Sequence, residues 1–243
     1  MVHWAMVIDL RRCIGCRSCM AACKAENNTG SGMFWMYAFR KEVGKYPNVT
    51  RRFLSRPCMH CQHPSCVEAC PTQARHKNEA DGLVLTNYSK CIGCRYCVVA
   101  CPYNVNSFNW KEPKKNQYFE WEVEGRDLYG KGGVTEYVGD AIPPNLNPNV
   151  ARRDIPTLQY RFVGVVEKCT FCAHRIWFGV KNGLKPGVDR DATPACVITC
   201  PVKALHFGDL DDPTSNVSRM LAKRRWQRAL EDLGNEPSVY YLF

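Results

Sequence analysis

The chain has 243 residues, 16 Cys and a formal net charge of +10. Against a threshold of roughly 8–10 % Cys, it is too long and too dilute in cysteine for a secreted disulfide scaffold. No apolar run approaches the roughly 18 residues of a membrane-spanning helix, and the basic excess, which ordinarily points to nucleic acid or an acidic surface, depends on the thiols staying neutral.

Taken in order, residues 1–10 form a short apolar stretch with Asp9 inside it and no charged leader, which does not read as a signal peptide. Within it, residues 5–9 (A-M-V-I-D) are β-branched and read as a strand feeding the first cysteine group, Cys13, Cys16, Cys19 and Cys23. That group closes on Cys23-Lys24, without the proline seen later. The second group is Cys58, Cys61, Cys66 and Cys70, with His60 and His63 inside it. Residues 79–82 (E-A-D-G) supply a turn, and residues 82–86 (G-L-V-L-T) read as another strand.

The third group is the most informative stretch. Cys91-Ile-Gly-Cys94-Arg-Tyr-Cys97-Val-Val-Ala-Cys101-Pro102 has the C-x2-C-x2-C-x3-C-P run of a bacterial-type ferredoxin. A four-iron cube needs one thiolate per iron, and two-residue spacers let one tight loop aim successive sulfurs at it. Gly93, like Gly15 in the matching Cys-Ile-Gly-Cys of group one, permits a positive φ and turns N–H groups toward the cluster. Pro102 stops the helix that follows the loop.

Residues 103–168 hold no cysteine and are rich in Asn, Pro and Gly, yet carry Phe108, Trp110, Tyr118, Phe119 and Trp121. So long a loop is usually functional, and it reads as a partner-binding loop laid on the surface. The fourth group, Cys169, Cys172, Cys196 and Cys200, contains an insert, 174–194, that reads as a short helix and a loop. Groups two and four share one design: C-x2-C, a longer gap, C-x3-C-P, then x-x-Ala (Ala74, Ala204) and a strand. Near the end, Asp212-Pro213 reads as the start of a helix running through Met220 and Trp226 to about Leu233, stopped by Gly234. Residues 239–243 read as a closing edge strand.

All 16 Cys thus sort into four groups of four, an internal repeat. Isolated buried thiols and structural zinc do not account for four-cysteine runs that end in Cys-Pro, so four [4Fe-4S] clusters are expected. An oxidised cube with its thiolates carries about −2, so four of them bring the protein to roughly +2. The basic excess is then a counter-charge to the clusters, and no nucleic-acid partner is expected.

The linker between Cys70 and Cys91 is the shortest, which favours groups two and three as one compact unit; groups one and four pair by elimination. On that reading Cys13, Cys16 and Cys19 join Cys200; Cys58, Cys61 and Cys66 join Cys101; Cys91, Cys94 and Cys97 join Cys70; and Cys169, Cys172 and Cys196 join Cys23. The sequential pairing, one with two and three with four, stays open on the residues alone. Lys24, Lys90 and Lys168 flank ligands and would raise nearby potentials by favouring the more negative reduced cube; a solvated role is the competing reading. A histidine ligand at His60 or His63 is conceivable, as in Rieske centres, but four Cys already suffice.

Almost the full length resembles the four-cluster electron-transfer (beta) subunits of dimethyl-sulfoxide-reductase-type molybdopterin oxidoreductases. The resemblance is carried by M-V-I-D-L-R-R-C-I-G-C at the N-terminus, V-E-K-C-T-F-C-A-H-R at 166–175, P-A-C-V at 194–197 and G-D-L-D-D-P at 208–213. It implies an α+β fold of two bacterial-ferredoxin-like two-cluster units, one nested within the other, with long loops and a C-terminal helix. The outer unit would be residues 1–56 plus 160–243, the inserted unit 57–110 and the partner-facing loop 111–159. It also implies four clusters in a row, no catalysis on this chain, a molybdenum- or tungsten-containing molybdopterin catalytic subunit on one side, and an integral membrane quinone-reactive subunit or another carrier on the other. Co-export with the catalytic subunit would place the complex on the outer face of the membrane; the cytoplasmic face is the alternative. Other readings are a stand-alone polyferredoxin and a zinc-stabilised basic nucleic-acid-binding module.

Overall fold

The computed structural model describes residues 2–27, 29–30, 32–110 and 163–243. Its main sheet is built from the two ends of the chain. Strand β1 (Trp4–Asp9) lies between β8 (Leu205–Asp209), antiparallel to it, and β10 (Val239–Leu242), parallel to it. Strand β9 (Trp226–Arg228) pairs antiparallel with β10, giving the order β8-β1-β10-β9.

Every residue of β1 is buried, as its unbroken apolar run requires. Period-2 alternation divides it between two faces. Trp4, Met6 and Ile8 join Phe207, Val239 and Tyr241 in the larger core, which also holds many of the cysteines. Ala5 and Val7 join Tyr240, Leu242 and Val217 under the C-terminal helix.

That helix is shorter than the sequence suggests. Helix α6 spans Asn216–Lys223 (the other helices are given below), and its N-cap is Ser215, whose Oγ accepts the Ser218 N–H at 3.2 Å. Asp212 is occupied in a turn of its own, accepting from the backbone and hydroxyl of Thr214 at 2.8 and 2.7 Å. Trp226 leaves the helix for β9, where its ring meets Tyr240 edge-on at 5.1 Å. Gly234, with φ 71°, ends only a 3-10 turn, Glu231–Leu233. The expected closing edge strand is also corrected: β10 is an interior strand, and the edges are β8 and β9.

Helix α1 (Ser18–Asn27) packs on α5 (Ala195–Ile198), joining groups one and four. Helix α2 (Ser65–Glu68) packs on α3 (Tyr96–Val99), and β4 (Arg75–Lys77) pairs with β5 (Val84–Thr86), joining groups two and three. Helix α4 (Ala173–Lys181) is the helix expected in the group-four insert. The short β6 (Ser107–Phe108) and β7 (Val166–Glu167) pair beside the third group. A long hairpin, β2 (Tyr37–Lys45) with β3 (Asn48–Arg56), has no counterpart in the sequence reading; most of its residues are exposed. The 111–159 loop lies outside the described residues.

Candidate metal centres

Each cysteine group is a loop that bends through left-handed backbone into a helix. Gly15 and Gly93 have φ of 68° and 70°, and Arg17 and Arg95, one residue past the second Cys of their groups, have 63° and 62°. Glycine is also needed for space: a Cβ on Gly15 would run into the Phe53 ring, and one on Gly93 into the Gly164 carbonyl oxygen. Where the last Cys precedes Pro, the helix is one turn, four residues in α2, α3 and α5. A common turn follows, in which the backbone N–H of Gln73, Asn104 or Lys203 donates to the carbonyl of Cys70, Cys101 or Cys200 at 3.1–3.2 Å. In group one Lys24 replaces the proline, so α1 continues to ten residues and buries Cys23 within it.

These turns gather the thiols in fours. Cys58, Cys61, Cys66 and Cys101 line one cavity. Cys70, Cys91, Cys94 and Cys97 line another. Cys196 lies in a third set: burial pushes its thiol well up, and Cys172, Cys23 and Cys169 push it further. In the fourth, burial raises Cys19 to about 11 against a Ser55 hydrogen bond, with Cys13, Cys16 and Cys200 adding repulsion.

The sets also feel one another's charge. That of Cys19 adds to the rise of Cys196, and Cys169 is raised to about 11 by burial and then by Cys58 of the second group. Exposure differs along this series. Cys16 and Cys94 are exposed, whereas Cys19, Cys23, Cys58, Cys61, Cys97, Cys169, Cys172, Cys196 and Cys200 are buried.

Buried thiols held this close cannot ionise together without a compensating positive charge. A thiolate-ligated iron–sulfur cube supplies that charge, and backbone donors favour the thiolate form. The N–H of Ala204 donates to Cys200 Sγ at 3.2 Å, that of Arg75 to Cys70 Sγ at 3.3 Å and that of Phe171 to Cys169 Sγ at 3.4 Å. The residues present therefore fit such clusters.

The three flanking lysines part ways. Lys168 is 1 % exposed and lines the Cys58 cavity, donating to the carbonyls of Val84 and Cys169. Lys24 turns to its own loop, 2.9 Å from each of the Gly30 and Met33 carbonyls and over the Phe34 ring. Lys90 is exposed.

His60 is buried and stacks on Phe171 at 4.0 Å. Its Nδ1 accepts the Val84 N–H at 3.1 Å, which leaves Nε2 to donate to the Cys169 carbonyl at 3.1 Å. Burial first, then the charge of Lys168, lowers its pKa well below the usual value, so the ring is a neutral brace between groups two and four. His63 is exposed and faces Glu236 at 3.8 Å. Arg75, which sequence reasoning passed over, is 1 % exposed and donates from Nη2 to Cys97 Sγ at 3.5 Å. The one available signal was its place just after the Cys-Pro-x-x-Ala turn, where a strand points a side chain back at the cluster loop.

Two family profiles, each of a 4Fe-4S dicluster domain, match the chain, over residues 5–71 and 49–118. They overlap across group two, so neither selects a pairing. Full-length relatives are also similar. A selenate reductase subunit of Mesobacillus selenatarsenatis is 38 % identical over 99 % of this chain and 72 % of its own. The arsenate respiratory reductase iron–sulfur subunit of a Shewanella species is 38 % identical over 98 % and 94 %. The menaquinone reductase iron–sulfur cluster-binding subunit of Nitratidesulfovibrio vulgaris is 37 % identical over 99 % and 89 %. None of these three is a free-standing ferredoxin or a nucleic-acid-binding protein. A chain that gathers cysteine thiols in this way, and that matches such subunits along nearly its whole length, carries electrons to or from a catalytic partner and does no catalysis itself: it belongs to the family of ferredoxin-like iron–sulfur electron-transfer subunits of dimethyl-sulfoxide-reductase-type molybdopterin oxidoreductases.

Proposed function

We propose that the chain holds four [4Fe-4S] clusters in the nested pairing and uses them as a linear wire. The ligands are Cys13, Cys16, Cys19 and Cys200; Cys169, Cys172, Cys196 and Cys23; Cys58, Cys61, Cys66 and Cys101; and Cys91, Cys94, Cys97 and Cys70. The observation that carries this is the company each closing cysteine keeps. Cys70 and Cys101 line cavities with groups three and two respectively, while Cys200 and Cys23 interact with groups one and four.

The charge interactions Cys19–Cys196 and Cys169–Cys58, with α1 packed on α5 and with Arg75 bonded to Cys97 while its strand packs on α2, support the spatial order one, four, two, three by group. When bound, each cluster accepts and releases one electron. The protein buries the middle of the row and leaves an end exposed on each side. Ile14 and Cys16 mark one end; Ile92, Cys94, Tyr96 and Val99 mark the other. A wire is useful only if both ends meet partners. We assign these to a molybdenum or tungsten molybdopterin subunit and to a quinone-reactive membrane subunit or another carrier. The names of the relatives as reductase subunits support the first and the menaquinone reductase the second.

Among the described residues no helix is long and apolar enough to cross a membrane; attachment on the outer face through the partners, after co-export, is the placement proposed. The domain reading follows the pairing: an outer unit of 1–56 plus 160–243, an inserted unit of 57–110, and 111–159 toward a partner.

Iron counting tests the pairing. C70A and C91A should each lose one cluster, about four irons, and the double variant should lose no more than either alone. A double variant that loses two clusters places these cysteines in different centres and overturns the nested assignment.

A further inference from the structure

Arg75 is the largest fully buried side chain among the described residues, at 1 % exposure. A guanidinium taken out of water costs several kcal/mol unless it is paired, and it cannot discharge by losing its proton. Among the described residues no carboxylate pairs with it. Its Nη2 donates to Cys97 Sγ at 3.5 Å, while Nε and Nη1 have no hydrogen-bond partner among the described residues. The side chain lines the cavity of Cys70, Cys91, Cys94 and Cys97. Cys66 belongs to the neighbouring quartet and sits in α2, which packs on β4, the strand that Arg75 opens. The cation thus stands between two adjacent quartets, and three N–H groups, one on Nε and two on Nη1, have no acceptor among the described residues.

We propose that Arg75 is an electrostatic bridge between the two inner-unit clusters: its guanidinium offers N–H donors to their sulfurs and raises both reduction potentials together. An added electron makes a cube more negative, so a fixed cation beside it favours the reduced form. A charge shared by two centres biases both in the same direction and leaves the step between them shallow. The more distant clusters, bound by groups one and four, do not gain from it. Arg75 is a positioning and tuning residue and ligates no metal.

The inference rests on the four-cluster reading, and one experiment separates the two. Full-length wild type, R75Q and R75K are purified without oxygen, iron is counted, and each centre is titrated potentiometrically by electron paramagnetic resonance. R75Q should keep its iron while two of the four centres become at least tenfold harder to reduce, about 59 mV for one electron. R75K, which keeps the charge but not the planar fork, should fall between. Two unmoved centres serve as the internal control. Full iron with all four potentials unchanged in R75Q overturns the bridge. So does a shift in all four centres, or loss of a cluster from both variants, since either marks a structural role. If R75Q alone loses iron, R75K decides: a shift confined to two centres supports the bridge, and no shift overturns it. Wild type with fewer than four centres would instead sink the reading beneath it.

Discussion

Arg224 places its Nη1 2.6 Å from Oδ2 of Asp9, 215 positions earlier in the chain. Asp9 closes β1, its side chain is 1 % exposed, and its Oδ1 accepts the Arg11 N–H at 3.1 Å, which orders the approach to Cys13. Burial alone would raise this carboxyl's pKa; the hydrogen bonds and charge of Arg11, with Arg224, outweigh it and hold the carboxyl below its usual value. A depressed carboxyl contributes stability above its unfolded pKa, about 3.9, and loses it as pH falls through the folded value. D9N should therefore be less stable than wild type by about 1–3 kcal/mol. Denaturant midpoints should show that gap constant from pH 8 to about 5, closing only below about 3.9. A gap that closes near neutrality would assign the stabilisation to another group.

Glu26 of α1 performs the equivalent service between groups one and four. Its Oε1 lies 2.8 Å from His174 Nε2, and Arg175 Nη1 donates to both carboxylate oxygens at 3.2 and 3.3 Å. Arg175 is further fixed by the Thr193 and Arg190 carbonyls, each at 2.7 Å. E26A leaves a buried guanidinium short of its counter-charge, so a loss of about 2–4 kcal/mol is expected, read as a lower unfolding midpoint. E26Q, which keeps one acceptor, should lose less. Equal losses in both would mean that packing rather than charge holds the two groups together.

Much of this was legible because cluster ligation imposes spacing. The C-x2-C runs, the Cys-Pro stops and the strands before Cys13 and Cys91 all follow from local geometry, and the structure repeats them. What local pattern could not show was competition between neighbours. Asp212 looked like a helix cap, but Thr214 engages it and Ser215 takes the role. Residues 239–243 looked like an edge, but β9 supplies a further neighbour that a helix reading had consumed. The β2–β3 hairpin escaped notice because it presents no buried face, so its sequence lacks the alternation that marks a half-buried strand. Arg75 drew no notice in the sequence, since its place after the Cys-Pro-x-x-Ala turn says nothing of its burial against Cys97.

Gly93 offers a test of why the loops carry glycine. Alanine there meets two penalties, a φ of 70° and the Gly164 carbonyl oxygen in the place of its Cβ. Gly183, with φ 73° and no atom of the described residues within 4 Å of an added methyl, carries only the first. G183A should cost about 1–2 kcal/mol with iron unchanged. G93A should cost more and lose about four irons, because the carbonyl is backbone and cannot step aside. Retention of full iron by G93A would show that the loop can shift without releasing its cluster.

Lys168 and Lys90 each stand one residue before a cysteine, yet the structure separates them, so they form a matched pair. Lys168 is buried against the Cys58 cavity and donates to the Val84 and Cys169 carbonyls, tying β5 to group four. K168M removes a fixed cation and takes a donor from two carbonyls, of which that of Cys169 keeps the His60 Nε2–H. It should lower stability by about 1–3 kcal/mol and lower the potential of the centre bound by Cys58, Cys61, Cys66 and Cys101. Lys90 is exposed, where water screens its charge; K90M should stay within about 0.5 kcal/mol of wild type and move no potential. Anaerobic redox titration of the two variants beside wild type distinguishes them. If K90M shifted a centre as far as K168M did, adjacency in sequence would matter more than burial, and the electrostatic account of these cations would fail.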